Sequence, residues 1–382
     1  LDQALQAGLG GLLAGFEALA FDPRNAVMIA VGCVLIWLGV ARDLEPLLLL
    51  PIGFGALIVN IPGAGLMEPG GVLRTIYDFG VQTELFPILI FIGIGAMTDF
   101  GPLLENPRIL LLGAAGQFGI FLTLMLALAL GFPPLHAISI GVIGAMDGPT
   151  AIYVTTKYAP ELLGAVSVAA YSYMSLVPLI QPPIMRLLTT RDDKTIVMPP
   201  VRASASKRVR ILFPIVVVIV GSLIAPQGTP LLATVMLGNL MRESGVVERL
   251  TQAAANEITN VVTLLLGISI GATMQAGAFL TVQTLIILAL GFIAICLDTA
   301  CGVLFGKVMC TLSGGKINPL IGAAGISAYP MAARVVQVEG QKYNRRNYLL
   351  MHAMGANTGG QIGSIMAASI MLSVIAGLHV AS

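Results

Sequence analysis

The chain has 382 residues, of which 57% are hydrophobic and 10% charged, with a formal net charge of +1 and a mean hydropathy of +0.92. So few charged side chains cannot cover the water-facing surface of a soluble protein of this size, and the balanced charge gives no footing for a nucleic-acid partner. Apolar runs of about 20 residues, enough to cross a bilayer, recur along the chain, while the short alternating segments of a membrane barrel do not. The expected fold class is an all-α polytopic membrane protein.

In chain order, residues 1–24 carry Asp2 and Glu17 ahead of the first basic residue, Arg24. A cleavable signal peptide would begin with basic residues, so an interfacial amphipathic helix is expected here instead. Membrane segments then fill 25–190. Within them "MTDFGP" places Asp99 before a Gly-Pro pair, where it reads as a helix-end cap. "GAMDGPTAIY" places Asp147 beside Gly148 and Pro149, both of which interrupt a helix. Interrupted backbone at membrane depth must be buried in protein or line a cavity. The break therefore presents peptide groups and a carboxylate together, an oxygen-rich setting suited to a hard cation such as Na⁺. Further on, "AAYSYMSLVPLIQPP" supplies Tyr171, Tyr173 and Gln181. A phenol near Asp147 can relay a proton or coordinate a cation; the alternative is ordinary aromatic packing.

The least apolar stretch is 189–210, which holds six of the twenty basic residues and follows Arg186. Its core, 191–210, is expected to be a cytoplasmic loop, which puts both termini outside. Membrane segments resume over 211–376, ahead of a short tail at 377–382. Asp298 in "AICLDTACG" falls mid-helix, and a structural role is expected for both it and Asp99, with a second ion site as the alternative. "NPLIGAAGISAYPMAAR" has glycines and a proline in mid-segment and offers Asn318, Ser327 and Arg334. "MHAMGANTGGQIGSIM" supplies Asn357, Thr358, Gln361 and Ser364 among small residues. Arg334 is a fixed fork for a carboxylate; the alternative is an interfacial anchor. The cysteines show no CxxC spacing and read as small apolar residues, and the histidines are scattered.

The two halves resemble each other. Ile94-Gly95-Ala96 recurs as Ile270-Gly271-Ala272, Ile143-Gly144-Ala145 as Ile321-Gly322-Ala323, and a motif ending at Met185 as one ending at Met366, with offsets between 176 and 181 residues. An internal duplication follows, with about five membrane segments per half. An odd number turns the second copy upside down, giving two inverted repeats with interrupted helices and a site near the midplane, an architecture common among ion-coupled transporters.

Six stretches taken in order resemble the β subunit of the biotin-dependent, sodium-pumping decarboxylases, a family with oxaloacetate, methylmalonyl-CoA and glutaconyl-CoA members. They are "MTDFGPLLENPRILLLGAAGQFGIF", "GAMDGPTAIY", "AYSYMSLVPLIQPPIM", "LMRESGVVERL", "NPLIGAAGISAYPMAAR" and "MHAMGANTGGQIGS". The likeness runs from about Glu45 to Ser373. It implies an elevator-transporter-like fold in a bacterial or archaeal cytoplasmic membrane. It also implies an α subunit bearing a carboxyltransferase and a biotin carrier, a small membrane γ/δ subunit, and a homo-oligomer. The β chain would decarboxylate the carboxybiotin delivered to it, export Na⁺ and consume an external proton. By this resemblance Asp147 and Tyr173 bind Na⁺ and handle the proton, and Asn357 and Ser364 complete the ion path. Asn318, Gly322, Ser327 and Arg334 shape the carboxybiotin site. Two features depart from the family pattern: Met146 stands where a small residue is expected, and the loop at about 61–84 is short. On composition and motif spacing alone, a stand-alone Na⁺/H⁺ or Na⁺/organic-anion transporter fits equally well.

Overall fold

The computed structural model describes residues 15–42, 44–199 and 205–380, with side chains to Val374. Most of the expected interfacial N-terminal helix therefore lies outside the described residues. Every regular element among the described residues is helical. In chain order the helices used below are α1 Pro23–Arg42, α2 Pro46–Val59, α3 Val72–Val81, α4 Leu85–Met97, α5 Pro107–Ala129, α6 Pro134–Ala145, α7 Gly148–Tyr158 and α8 Pro160–Leu188. After the linker come α9 Lys207–Ile224, α10 Thr229–Ser244, α11 Glu248–Ala272, α12 Val282–Leu312, the 3₁₀ segment α13 Pro319–Gly325, α14 Met331–Tyr343 and α15 Leu350–Val380. Five of them (α1, α5, α8, α11 and α12) are long and apolar enough to cross a membrane, and the bent pair α3–α4 makes a sixth.

The outward faces identify the solvent. On α9, Leu212, Ile215, Ile219 and Leu223 recur at helical spacing and are 57%, 40%, 56% and 78% exposed. A water-soluble fold would turn this stripe inward; here the polar groups are inside and the apolar stripe faces lipid.

The order of elements before the linker is repeated after it. A helix pair (α1–α2, then α9–α10) precedes a span containing one π-helical turn, Tyr77–Val81 in the first half and Ala254–Ile258 in the second. A long helix, an interrupted segment and another long helix follow in each. Contacts between the halves also repeat. α2 packs along α11 and α10 along α4, and in both places the backbones touch at glycines. A Cβ on Gly55 would lie 3.1 Å from the Gly271 Cα, and one on Gly238 would lie 3.0 Å from the Gly95 carbonyl carbon. Gly95 and Gly271 are the glycines of the repeated Ile-Gly-Ala motif, so the repeat marks equivalent points of close approach. α1–α4 and α9–α11 form an outer layer against which α5–α8 and α12–α15 pack.

Both interrupted segments turn back on themselves. His136 at the start of α6 pairs with Glu161, just beyond α7, at 2.5 Å. The Asn318 and Asn344 amides, before α13 and after α14, donate to the Ile196 and Thr195 carbonyls of the linker at 2.9 and 3.3 Å. Each segment is therefore a hairpin whose two ends meet. The first hairpin opens beside the start of α8, the second beside the linker at its other end. At 1.5 Å per residue those ends are about 40 Å apart, so the hairpins enter the protein from opposite sides. Their tips meet in the interior, where the Ser327 N–H donates to the Ala145 carbonyl at 3.2 Å.

Candidate functional site

Asp147 occupies the tip of the first hairpin. Pro149 at the second position of α7 has no N–H to satisfy, and Asp147 caps the helix from the preceding turn. Its Oδ1 receives the Thr150 N–H at 3.4 Å, and its Oδ2 receives the Thr150 hydroxyl at 2.6 Å. The Ser364 hydroxyl of α15 lies 3.3 Å from the same Oδ2, and 2.9 Å from the Gln361 carbonyl. Asp147 is 5% exposed, and among the described residues no Lys or Arg pairs with it. Met146 immediately before it is wholly buried in a left-handed conformation, φ 52°. That geometry stores about 1 kcal/mol or more in a residue with a side chain, consistent with the small residue expected there.

Both hairpin tips open onto one cavity of about 520 Å³. Asp147, Gly148 and Pro149 line it from the first hairpin; Ser327, Tyr329, Pro330 and Arg334 line it from the second. Tyr171 and Gln361 close its inner wall, and Met97, Leu350 and Met354 stand among its apolar lining. Arg334 is exposed, and among the described residues its guanidinium has neither a hydrogen bond nor an ion pair. The cavity thus holds one carboxylate without a cation and one guanidinium without an anion.

Four sites expected from sequence gather here. Asp147, Ser327 and Arg334 line the cavity, and Ser364 reaches Asp147. Ser327 also donates its hydroxyl to the Gly360 carbonyl at 2.9 Å, tying the second tip to α15. Asn357 lies just behind that tip. Its amide donates to the Ile326 carbonyl at 2.5 Å, while its own oxygen is buried without a partner. An unpartnered buried oxygen is available to water or a cation.

Three others are placed elsewhere. The Tyr173 hydroxyl points away from the cavity and donates to the Leu288 carbonyl of α12 at 2.6 Å. One helical position decides this: Tyr171, two residues earlier, turns toward Asp147. A Cβ on Gly148 would collide with the Tyr171 ring, and the Tyr171 hydroxyl has no protein partner among the described residues. Asn318 is fully buried and fastens the linker through the Lys194 and Ile196 carbonyls. Gly322 permits backbone contact with Gly302 of α12.

Asp99 accepts the Gly101 N–H at 2.8 Å, the cap its sequence suggests. Asp298 is fully buried and accepts the Gly119 N–H at 2.6 Å, capping α5 where that helix is interrupted near Gly116. Gln361, one of the polar residues offered by "MHAMGANTGGQIGSIM", lines the cavity, whereas Thr150 and Tyr329 carry no sequence expectation. Thr150 was findable, because the third position after an N-cap aspartate is where a cap partner belongs. Gln361 and Tyr329 reach the site only through tertiary packing.

The profile of a family described as the Na⁺-transporting oxaloacetate decarboxylase beta subunit matches residues 24–375. The chain belongs to this family. It is 55% identical to the methylmalonyl-CoA decarboxylase subunit beta of Veillonella parvula, over 94% of this chain and 95% of that one. It is 52% identical to the glutaconyl-CoA decarboxylase subunit beta of Acidaminococcus fermentans, with the same coverage of 94% and 95%. Against the oxaloacetate decarboxylase beta chain of Klebsiella pneumoniae it is 47% identical, over 96% and 99% of the two chains. That last alignment spans 428 positions, more than the 382 residues of this chain, so the relative carries segments this chain lacks. The sodium-pumping decarboxylase resemblance is thus correct, and the protein is the multi-pass membrane subunit of an ion-translocating decarboxylase.

Proposed function

We propose that this subunit takes carboxybiotin from a partner subunit, decarboxylates it at Arg334, and couples that step to Na⁺ export and uptake of an external proton at Asp147. The observation that carries the reading is the shared cavity, with a cation-free carboxylate on one hairpin tip and an anion-free guanidinium on the other. Arg334 holds the carboxylate of carboxybiotin through charge-assisted hydrogen bonds. The bond between the ureido nitrogen and the carboxyl carbon then breaks, CO₂ leaves, and the nitrogen takes a proton. Asp147 carries either Na⁺ or H⁺. The Ser364 hydroxyl, the free Tyr171 hydroxyl and nearby peptide oxygens complete a hard-ion shell. Protonation from outside discharges Na⁺ outward and supplies the proton that decarboxylation consumes. Moving one charge against 100 mV requires about 2.3 kcal/mol, which the irreversible loss of CO₂ provides.

Two inverted repeats over 25–190 and 211–376, working as an elevator, suit this cycle. The hairpins entering from opposite sides and the repeated glycine contacts support that reading. In it Tyr173, Asn318 and Gly322 act through packing, and Asn357 through its free oxygen behind the second tip. The partners are an α subunit with carboxyltransferase and biotin carrier and a small γ/δ membrane subunit, in a bacterial or archaeal cytoplasmic membrane, with the β chain itself homo-oligomeric. Closer identity to the acyl-CoA relatives, and the segments that set the oxaloacetate relative apart, favour a CoA thioester as the carboxyl source.

The test is Asp147→Asn in the complete complex reconstituted into vesicles. Carboxybiotin-driven ²²Na⁺ uptake and Na⁺-dependent CO₂ release should both vanish while the complex still assembles. Normal uptake in that variant would overturn the assignment.

A further inference from the structure

Arg242 stands near the end of α10, in the outer layer, yet it contacts the lining of the same cavity. Its Nη1 donates to the carbonyl of Met97, a cavity-lining residue, at 3.1 Å. Its carboxylate neighbours are Asp99 at 3.6 Å and Glu243 at 3.9 Å, both beyond hydrogen-bond reach. Glu243 is itself held by Arg210 at 3.2 Å. A guanidinium has five N–H donors, and Arg242 uses one of them while remaining one-third exposed. The neighbouring Asp99 N–H meets the Tyr329 hydroxyl at 3.5 Å, and Tyr329 lines the cavity together with Arg334. Arg242, through Met97 and Asp99, and Arg334 therefore border the same cavity from two different layers. The polar contacts that join the layers there are weak: the Asp99–Tyr329 contact, and a 3.2 Å bond from the Thr98 hydroxyl to the Gln361 side chain.

We propose that Arg242 is a second carboxylate-binding residue, and that a substrate carboxylate bridging Arg242 and Arg334 latches the outer layer to the hairpin unit until decarboxylation removes it. The inference rests on the carboxybiotin reading above and adds the coupling device. A carboxylate has two oxygens and can satisfy one guanidinium with each. When the bond from carbon to the ureido nitrogen breaks and that nitrogen is protonated, the product CO₂ is neutral and bridges nothing. At the cavity the polar contacts between the layers are then only those two weak bonds, and the carboxylate no longer opposes relative movement there. Asp99, 3.6 Å away, competes for Arg242 before substrate arrives.

The experiment uses the complete complex in vesicles, with free carboxybiotin as substrate, and reads KM, kcat and Na⁺ moved per CO₂. Arg242→Gln keeps a donor for the Met97 carbonyl and loses the charge. It should raise KM about tenfold, equivalent to about 1.4 kcal/mol, change kcat less than twofold, and at least halve the Na⁺ moved per CO₂. Arg242→Lys should recover most of both. Asp99→Asn keeps the cap on Gly101 and frees Arg242, so it should lower KM. Wild-type KM and wild-type Na⁺ per CO₂ in Arg242→Gln would overturn the latch, as would a KM in Asp99→Asn that is unchanged or raised. Failure of the wild-type complex to turn over carboxybiotin would instead overturn the functional reading beneath it.

Discussion

Gly148→Ala tests the geometry of the ion site most directly. The added methyl would sit inside the van der Waals envelope of the Tyr171 ring, 2.7 Å from its hydroxyl oxygen. Both residues are buried, and the ring is 2% exposed, so it has little room to retreat. Overpacking of this kind costs about 1–3 kcal/mol. Removing the ring with Tyr171→Ala costs about 3 kcal/mol or more through the void it leaves. The double variant should be less damaged than the sum, by about 1.5–3 kcal/mol, because the methyl no longer meets the ring and fills part of its space. Function should follow the same cycle, since pushing the ring away also moves the turn that holds Asp147. Gly148→Ala should raise the Na⁺ concentration for half-maximal decarboxylation about tenfold, and Tyr171→Ala in the same background should restore part of that loss. The readouts are thermal unfolding in detergent and the Na⁺ dependence of CO₂ release by the complex. Additive losses in both, with no recovery in the double variant, would refute the claim that Tyr171 rather than Tyr173 buttresses the aspartate.

Two further outcomes follow from contacts outside the cavity. Tyr173→Phe removes one hydrogen bond to the Leu288 carbonyl and should lower stability by about 1 kcal/mol while leaving Na⁺ half-saturation within twofold; Tyr171→Phe should do the reverse, as titrations of the two variants would reveal. Glu339, beside the linker, has a side chain only 1% exposed, bound by Arg186 at 2.6 and 2.9 Å and by Lys342 at 2.9 Å. Burial pulls its pKa up, but the hydrogen bonds and charge of Arg186 and Lys342 outweigh this and hold it below the ordinary 4.5. A carboxyl with a lowered folded pKa gives stability that is complete above the unfolded value and lost as pH falls through the folded one. Arg186→Ala should therefore destabilise by about 2 kcal/mol at pH 7, and the difference from wild type should shrink below about pH 4.5 in unfolding curves.

Much of this was legible in the chain, for reasons that vary by residue. Asp147 announces itself because a carboxylate beside Gly-Pro has no ordinary place in a membrane helix. The repeated Ile-Gly-Ala motif is legible because Gly95 and Gly271 both sit at close backbone contacts, and such a contact tolerates no side chain. Membrane periodicity reveals long helices but not whether an interrupted one crosses or turns back. The hairpins become apparent only through the His136–Glu161 pair and through Asn318 and Asn344 meeting the same stretch of linker, contacts that no local pattern foretells. Which of Tyr171 and Tyr173 faces the cavity was not legible for a related reason. Residues two apart on a helix differ by about 200° in direction, and which of them faces the site depends on how α8 is rotated against α12. Asn318 looked like a site residue because it flanks a break; its amide is spent on the linker.

On the proposed inverted-repeat reading, the division of charge between the hairpins explains why the two halves must differ. Equal tips would give two aspartates facing each other, which repel, or two arginines, which bind anions but no Na⁺. On the proposed reading, one of each, left unpaired across a shared cavity, would hold a cation and a carboxylate at once, each partly neutralising the other's field at short range and low dielectric. Were Asp147 and Arg334 bonded to each other, the pair would be satisfied and neither ligand would bind. The Thr150 hydroxyl prevents this by turning Oδ2 into its own helix, and Arg334 stands a full turn inside α14. In the proposed cycle the ureido nitrogen left by CO₂ takes the proton that enters at Asp147, and because Asp147 carries either Na⁺ or H⁺ that proton enters only as Na⁺ leaves, which ties ion movement to the chemical step.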